Sequence, residues 1–157
     1  MNNILLLIFI AVSFYHQFAS GMTVKGVFSS KEARSNSGQH IALFCFYGDG
    51  FVKHNLSETS DGKLYFYSEK RWNYVKESVS CDEKLSAAEF AFELSNVTGE
   101  HRFVPWKMID YWHVVYADSS TCDTSAGLFG DISYTVQLMN KNKQGNPVDH
   151  FSYEKAG

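Results

Sequence analysis

Short apolar segments separated by polar turns follow one another along the chain after residue 22, and many alternate apolar and polar side chains. A period of two, bounded by Gly, Asp, Asn and Ser, is typical of antiparallel strands. The pattern predicts strands at residues 23–29, 40–47, 51–54, 63–67, 72–75, 112–116 and 132–138. The run at 40–47 is almost continuously apolar, which favours a central strand buried on both faces. About seven such segments indicate an all-β fold, an antiparallel β-sandwich.

One short helix interrupts this pattern, at residues 82–88. Ser80 and Glu83 have the spacing of a capping box, in which the serine side chain accepts from the first free amides of a helix. The apolar side chains that follow give only partial helical spacing, and residues 90–94 also suit a strand. We therefore expect a short helix that is followed by a strand. Residues 35–39 form a predicted polar turn or loop.

The amino terminus has the pattern of a cleavable signal peptide. Residues 4–14 form an uncharged apolar run of eleven residues, and small residues follow up to Gly21. A membrane-spanning helix needs about 20 apolar residues, so a signal peptide over residues 1–21 is the better interpretation. This divides the rest of the chain into a β-sandwich domain at residues 22–139 and a polar linker at 140–157.

Two glycosylation motifs agree with a route through the secretory pathway. Asn55 begins the triplet Asn-Leu-Ser, and Asn96 begins Asn-Val-Thr. Both fit the N-x-[ST] acceptor pattern without proline in the middle. We predict a glycan at each asparagine.

Three cysteines remain after the signal peptide, and an oxidising compartment should pair two of them. Cys81 and Cys122 lie in polar segments, whereas Cys45 lies in an apolar run where a thiol behaves as a small buried hydrophobe. We therefore expect a Cys81–Cys122 disulfide and an inert core thiol at Cys45. An intermolecular bond through whichever cysteine is left over is the alternative.

Charge and composition exclude one class of partner. The 14 basic and 17 acidic side chains give a net charge of -3, whereas nucleic-acid-binding domains usually have a basic face. The aromatic share of 16% is high, and aromatic side chains favour the half-buried surfaces of sheets. The sequence thus favours a β-rich domain without a nucleic-acid partner.

No constellation of catalytic or metal-ligating residues is visible in the sequence. The histidines lack i,i+4 or His-x-His spacing, so we expect no zinc site and no cofactor. His113 has Asp110 and Asp118 nearby as orienting groups, but no G-x-S-x-G nucleophile accompanies it. A structural role in a strand is the favoured interpretation of His113. We therefore predict that the protein is not an enzyme.

The aromatic residues provide the one candidate binding surface. Six of them are candidates to line a groove for an apolar ligand, a peptide or a sugar: Tyr65, Tyr67, Trp72, Tyr74, Trp106 and Trp112. Among these, Tyr65, Tyr67, Trp72 and Trp112 form the predicted ligand surface. The alternative is that these side chains fill the core of the sandwich and its edges.

Four short stretches, in order along the chain, resemble the lumenal amino-terminal domain of the intimal-thickness-related receptor family. They are VKGVFSS at 24–30, CDEKLS at 81–86, WHVVYAD at 112–118 and GNPVDHFS at 145–152. Members of that family are seven-transmembrane proteins with a β-sandwich likened to the Golgi-dynamics domain. The resemblance implies a Golgi-dynamics-like β-sandwich with one short helix, and it supports the pairing of Cys81 with Cys122.

The resemblance also implies that residues 145–152 lead into a first membrane helix. No such helix follows within the 157 residues, so the alternatives are a fragment, a truncated product and a secreted isoform. We expect a non-enzymatic recognition domain on the lumenal or extracellular side of the Golgi or plasma membrane. It would bind a protein or small-molecule ligand and act in receptor-type signalling or secretory-pathway trafficking. A stand-alone secreted ligand-binding protein is the alternative.

Overall fold

Two antiparallel sheets of four strands face each other in the computed structural model, which describes residues 21–77, 79–107, 109–141 and 145. The described strands are β1 (Gly21–Phe28), β2 (Gln39–Phe46), β3 (Gly50–Leu56), β4 (Lys63–Ser68), β5 (Phe90–Glu93), β6 (Thr98–Phe103), β7 (Asp110–Ala117) and β8 (Ile132–Asn140). One sheet has the order β1-β8-β3-β6 and the other β2-β7-β4-β5. The predicted antiparallel β-sandwich is confirmed.

Aromatic side chains fill the space between the two sheets. Phe28 of β1 stacks on Tyr134 of β8 with ring centroids 4.0 Å apart, and on Tyr116 of β7 at 4.1 Å. Phe103 of β6 meets Trp112 of β7 edge to face at 5.0 Å. Offset and edge-to-face ring pairs add about 0.5–1.5 kcal/mol each beyond the apolar area that they bury. The high aromatic content therefore serves mainly to build this core.

Strand β2 is not buried on both faces, contrary to the prediction. Phe44 and Phe46 point into the core, whereas Leu43 is 44% exposed. Leu43 is exposed because β2 lies at the edge of its sheet and because successive side chains of a strand point to opposite faces. Cys45 therefore lies half-buried on the outer face and is free, so its predicted place in the core is wrong. Partial burial raises the pKa of the Cys45 thiol.

The described residues contain three short helices where one was expected. They are α1 (Ser30–Asn36), α2 (Glu69–Val75) and α3 (Cys81–Ser86). Helix α3 confirms the predicted helix, shifted by one or two residues, and the Glu83 amide donates to Ser80 Oγ at 3.3 Å as the capping box requires. The other two helices and strand β6 were not predicted.

Helices α1 and α2 form where the sequence suggested a loop and a strand. In α2, the Arg71 amide donates to Ser68 Oγ, so the last residue of β4 is also the N-cap of the helix. The predicted strand at 72–75 is wrong for this reason. Helix α1 takes up the first part of the predicted loop at 35–39. It ends where Ser37 adopts a left-handed conformation with φ of 50°.

The predicted signal peptide lies outside the described residues except for Gly21, which pairs with Met139. Most of the predicted linker at 140–157 also lies outside, but Asn140 is the last residue of β8. The sandwich thus extends one residue beyond each predicted boundary of the domain. No helix among the described residues is both long and apolar enough to cross a membrane.

Helices α2 and α3 cover part of the outer face of the second sheet. Tyr67, Val75 and Val115 form a small second core beneath them, separate from the core between the sheets. The predicted disulfide is present, and it joins Cys81 at the start of α3 to Cys122 in the connection between β7 and β8. The helical layer is therefore attached to the sandwich both by packing and by a covalent bond.

Candidate functional site

The four residues of the predicted ligand surface do not form one surface. Tyr67 and Trp112 are fully buried, at 0% exposure, and they lie on opposite faces of the second sheet. Trp112 belongs to the core between the sheets, and the Tyr67 hydroxyl donates to the Lys84 carbonyl at 2.8 Å beneath α3. Tyr65 and Trp72 are half-buried beside Tyr67. Side chains without exposed area cannot meet a ligand, so the prediction is wrong for Tyr67 and Trp112.

Two other aromatic residues from the sequence analysis are strongly exposed. Trp106 is 73% exposed and Tyr74 is 57% exposed, and both line an open groove of about 500 Å³. We name this feature the aromatic–basic groove. The residues that line it are Ser68, Lys70, Arg71, Tyr74, Glu89, Trp106 and Lys107.

One wall of the aromatic–basic groove is helix α2. Because Ser68 ends β4 and caps α2, no loop separates the sheet from this wall. Glu89, just before β5, accepts a hydrogen bond from the Ser68 amide at 2.6 Å and so ties the start of the helix to the neighbouring strand. The α2 side of the groove is therefore fixed by the sheet.

The other wall is the connection between β6 and β7. Pro105 is buried there, and the Trp106 ring lies 6.4 Å from the Phe90 ring. Lys107 Nζ lies 3.2 Å from an oxygen of Asp110 at the start of β7. The Trp106 indole thus lies at the groove with most of its surface exposed.

Positive charge dominates the lining of the groove. Lys70, Arg71 and Lys107 are exposed and carry three cationic groups, while Glu89 is the single acidic side chain of the lining. The side chains of Lys70 and Arg71 have no hydrogen bond or ion pair with any residue in the described part of the chain. A positive groove on a chain with net charge -3 is a local feature that the overall composition conceals.

A histidine–tryptophan cluster of His40, Glu69, Trp72, Lys84 and His113 lies beneath α2. His113 Nε2 lies 2.8 Å from Glu69 Oε2, and His113 Nδ1 lies 3.0 Å from His40 Nε2. Since a carboxylate only accepts, His113 Nε2 donates to Glu69, and His113 Nδ1 forms the second hydrogen bond with His40 Nε2. The His113 ring stacks on Trp72 at 4.7 Å, and Lys84 Nζ lies 5.0 Å from the centre of the Trp72 ring.

The histidine–tryptophan cluster disfavours positive charge on His40 and Lys84 and favours negative charge on Glu69. Desolvation lowers the pKa of His40, and the nearby His113 and Lys84 lower it further. Burial also lowers the pKa of Lys84, whose ammonium group donates to the Asn36 carbonyl at 3.0 Å. The hydrogen bond from His113 lowers the pKa of Glu69. The cluster therefore binds α2 to β7 through one short hydrogen bond and one stacked ring pair.

This arrangement does not reproduce a nucleophile–base–orienter set. His113 contacts Glu69 and His40 rather than the predicted orienting groups Asp110 or Asp118. No hydroxyl or thiol hydrogen bonds to its ring among the described residues. Nor does any group of three or more His, Cys, Asp or Glu side chains within the described ranges have an arrangement suited to a metal ion.

The outer face of the first sheet is a second, polar surface. It forms a shallow depression of about 680 Å³ lined by residues that include Thr23, Lys53, Asn55 and Gln137. Asn55 is exposed on this face, and Asn96 is exposed in the connection between β5 and β6. Both acceptor asparagines thus lie away from the aromatic–basic groove, and glycosylation at each stays a prediction.

Residues 23–124 match the sequence model described as GP180, GOLD domain. The match covers more than half of the chain and includes most of β1, all of β2 to β7, both disulfide cysteines and the whole aromatic–basic groove. The chain belongs to the GP180 GOLD-domain family. The expected Golgi-dynamics-like fold is thereby confirmed. The GOLD domain is a non-catalytic β-sandwich fold.

Sequence reasoning missed the basic residues of this GOLD-domain groove and the partners of His113. The segment from Ser68 contained a usable signal, because a serine followed directly by an acidic residue, here Glu69, is typical of a helix start. A helix at that point would have placed Lys70, Arg71 and Tyr74 on one turn, away from the interior. The partners of His113 come from β2 and α2, which spacing along the chain does not reveal.

Proposed function

We propose that this GOLD domain is a non-enzymatic recognition module on the lumenal or extracellular side of the secretory pathway, attached to a seven-transmembrane receptor-like protein. Its aromatic–basic groove binds the ligand or partner. Binding there would bias the attached membrane helices and so act in signalling or trafficking. Support comes from the GOLD family match, the resemblance of four motifs to the receptor family, and a disulfide of the kind that persists in oxidising compartments.

The exposure of Trp106 is the observation that carries this proposal. Tryptophan is rarely left in water, and exposed aromatic side chains are enriched at the centres of interaction surfaces. Trp106 is 73% exposed, although its ring lies 6.4 Å from that of Phe90, which packs against the core between the sheets. Burying most of such a side chain in a complex stabilises it by about 2 kcal/mol or more.

Selection from a displayed random-peptide library tests recognition without knowledge of the ligand. The chain, secreted from cultured eukaryotic cells with its disulfide intact, serves as bait for wild type and for Trp106→Ala. We expect peptides whose binding weakens at least about tenfold with Trp106→Ala. Val27→Ala is the matched control, because Val27 is also an exposed apolar side chain but lies on β1. Selection that yields only peptides insensitive to Trp106→Ala would disprove recognition at the groove.

A further inference from the structure

The free cations of the aromatic–basic groove point to the charge of its ligand. Lys70 and Arg71 are adjacent on α2, both exposed, and neither contacts an acidic side chain among the described residues. Among the other described cations, the partly exposed Lys53 and Lys63 pair with glutamates across the strands, whereas the exposed Lys25, Lys31 and Lys76 also lack an ion pair but do not lie beside an exposed tryptophan in a groove. Two neighbouring unpaired cations beside an exposed tryptophan form a surface that complements negative charge.

The one acidic side chain of the lining does not cancel this charge locally. Glu89 directs its Oε2 atom at the Ser68 amide, 2.6 Å away, so this oxygen already has a protein donor. Lys107 is shared between the groove and Asp110, at 3.2 Å. An anionic ligand would therefore contact Lys70 and Arg71 first. Lys107 is a third contact, which would exchange its ion pair with Asp110 for one with the ligand.

The groove suits a polypeptide better than a small anion. Its cations are all exposed, and exposed ion pairs in water contribute only about 0.2–1 kcal/mol each. A small anion that contacted these side chains alone would bind weakly. A ligand that also places an apolar side chain on Trp106 and Tyr74 gains the burial of aromatic surface, and a groove of about 500 Å³ accommodates a few residues of an extended chain.

The groove also suits a polypeptide better than an anionic membrane. A bilayer would approach the whole helical face, where the exposed cations Lys70, Arg71 and Lys76 are outnumbered by four exposed acidic residues of α2, α3 and their connection: Glu69, Glu77, Asp82 and Glu83. Those carboxylates would repel anionic headgroups. Glu83 accepts a hydrogen bond from the Tyr74 hydroxyl at the edge of the groove, so a narrow acidic segment in the groove meets fewer of these carboxylates than a bilayer does.

We infer that the aromatic–basic groove binds an acidic polypeptide segment that carries an aromatic or aliphatic side chain among its carboxylates. This inference rests on the proposed recognition function and specifies its partner. The carboxylates pair with Lys70 and Arg71, and the apolar side chain packs on Trp106 and Tyr74. Charge complementarity determines which partner binds, and the aromatic contact supplies most of the binding energy.

Fluorescence anisotropy with synthetic peptides tests the inference on the intact secreted chain. The probes are a labelled peptide that alternates Glu and Phe, its Gln–Phe and Lys–Phe counterparts, and phosphatidylserine vesicles. We expect the Glu–Phe peptide to bind at least about tenfold more tightly than the Gln–Phe peptide, with the difference shrinking as salt rises from about 0.05 to about 0.5 M. The Lys–Phe peptide and the vesicles should not bind.

Charge-reversing variants locate the binding. Lys70→Glu/Arg71→Glu should weaken the affinity for the Glu–Phe peptide at least about tenfold. The control Lys25→Glu/Lys31→Glu makes an equal charge change at two other exposed lysines and should change this affinity less than about threefold. Equal loss in both double variants would refute a local site. Preference for the Gln–Phe or Lys–Phe peptide, or binding of the vesicles, would overturn the acidic-polypeptide assignment.

The salt and peptide comparisons use the wild-type chain and do not depend on how any variant folds. Peptides from the random library that require Trp106 but lack acidic residues would overturn the present inference and leave the recognition function standing. A library that yields no peptide dependent on Trp106 would refute both the recognition function and the acidic-polypeptide inference.

Discussion

Replacing Asp118 by Asn should destabilise the domain by about 2–3 kcal/mol, although this residue lies outside the aromatic–basic groove. Asp118 follows β7 and is 7% exposed. Its Oδ2 atom accepts hydrogen bonds from the hydroxyls of Ser30 and Tyr116. Its Oδ1 atom accepts from the Ser120 amide, the Ser120 hydroxyl and the Thr121 hydroxyl. The carboxylate thereby joins helix α1 to the loop after β7.

The magnitude follows from which of these bonds an amide can keep. With its oxygen in place of Oδ1, the Asn side chain retains the bonds from Ser120 and Thr121, and its amide nitrogen faces Ser30 and Tyr116. Two hydrogen bonds to a charged acceptor are then lost, at about 1.5 kcal/mol each, and reorientation of the two hydroxyls recovers part of that loss. Asp118→Ala removes the acceptor for every donor and should cost more, about 4 kcal/mol.

The pH dependence of the effect has a definite sign. Burial alone would raise the pKa of Asp118, but the hydrogen bonds donated by the surrounding side chains hold it below its usual value. A carboxylate with a lower pKa in the folded chain stabilises the fold at pH values above its unfolded pKa. That stabilisation is lost as the pH falls through the folded pKa. The difference between wild type and Asp118→Asn should be complete near neutral pH and shrink below about pH 4.

Urea unfolding of the disulfide-bonded chain, followed by near-ultraviolet circular dichroism, measures this difference directly. Asp49→Asn is the matched control, because Asp49 forms ion pairs with Arg102 at 2.7 Å and Lys141 at 2.9 Å on the surface. We expect the control to lose no more than about 1 kcal/mol. A free energy of unfolding for Asp118→Asn within about 0.5 kcal/mol of wild type would refute the network as a source of stability.

Two further predictions concern the covalent and titratable parts of the fold. Cys81→Ser/Cys122→Ser should lower the free energy of unfolding by about 4 kcal/mol, from the loop entropy of a 41-residue separation, and a loss below about 1 kcal/mol in urea would contradict this. Burial and the neighbouring His54 lower the pKa of His101 in the folded chain. The unfolded chain therefore binds a proton at this residue more readily than the folded chain does, and the free energy of unfolding should decline as the pH falls below about 6.5. His101→Phe, which keeps the stack on Phe92, should flatten that decline, and unchanged pH dependence would exclude His101 as its cause.

Strand positions were predictable because alternation of apolar and polar residues is a local property, but short helices were not. Trp72, Tyr74 and Val75 are good strand formers, and their spacing resembles a strand. The helix is more stable than a strand here for two reasons. The Ser68 side chain accepts a hydrogen bond from an amide of the first turn, and Val75 packs with Val115 in the small second core. The first cause is visible in the sequence, whereas the second needs the tertiary structure.

The His40–His113 contact shows why site geometry was harder to predict than strands. Ala42 and Phe44 point into the core, so simple alternation places His40 in the core as well. The pairing of β2 with β7 shifts between His40 and Ala42, and this irregularity turns His40 to the outer face, where His113 lies. A one-residue shift exchanges the two faces of a strand, and nothing in the local sequence marks it.

The two walls of the aromatic–basic groove differ in how firmly the fold holds them, and this difference bears on recognition. Helix α2 continues β4 without a loop and is attached to β7 by the Glu69–His113 hydrogen bond and the Trp72–His113 stack. The Trp106 wall is a connection between strands of different sheets, and its described residues include Trp106 with a ring contact to Phe90 and Lys107 with a surface ion pair to Asp110. The rigid wall carries the charges, so it can bind a partner at little entropic cost. The adjustable wall carries the indole, so it can pack against apolar side chains of different shapes. Under the proposed function, such a division would let the domain discriminate its partners mainly by charge.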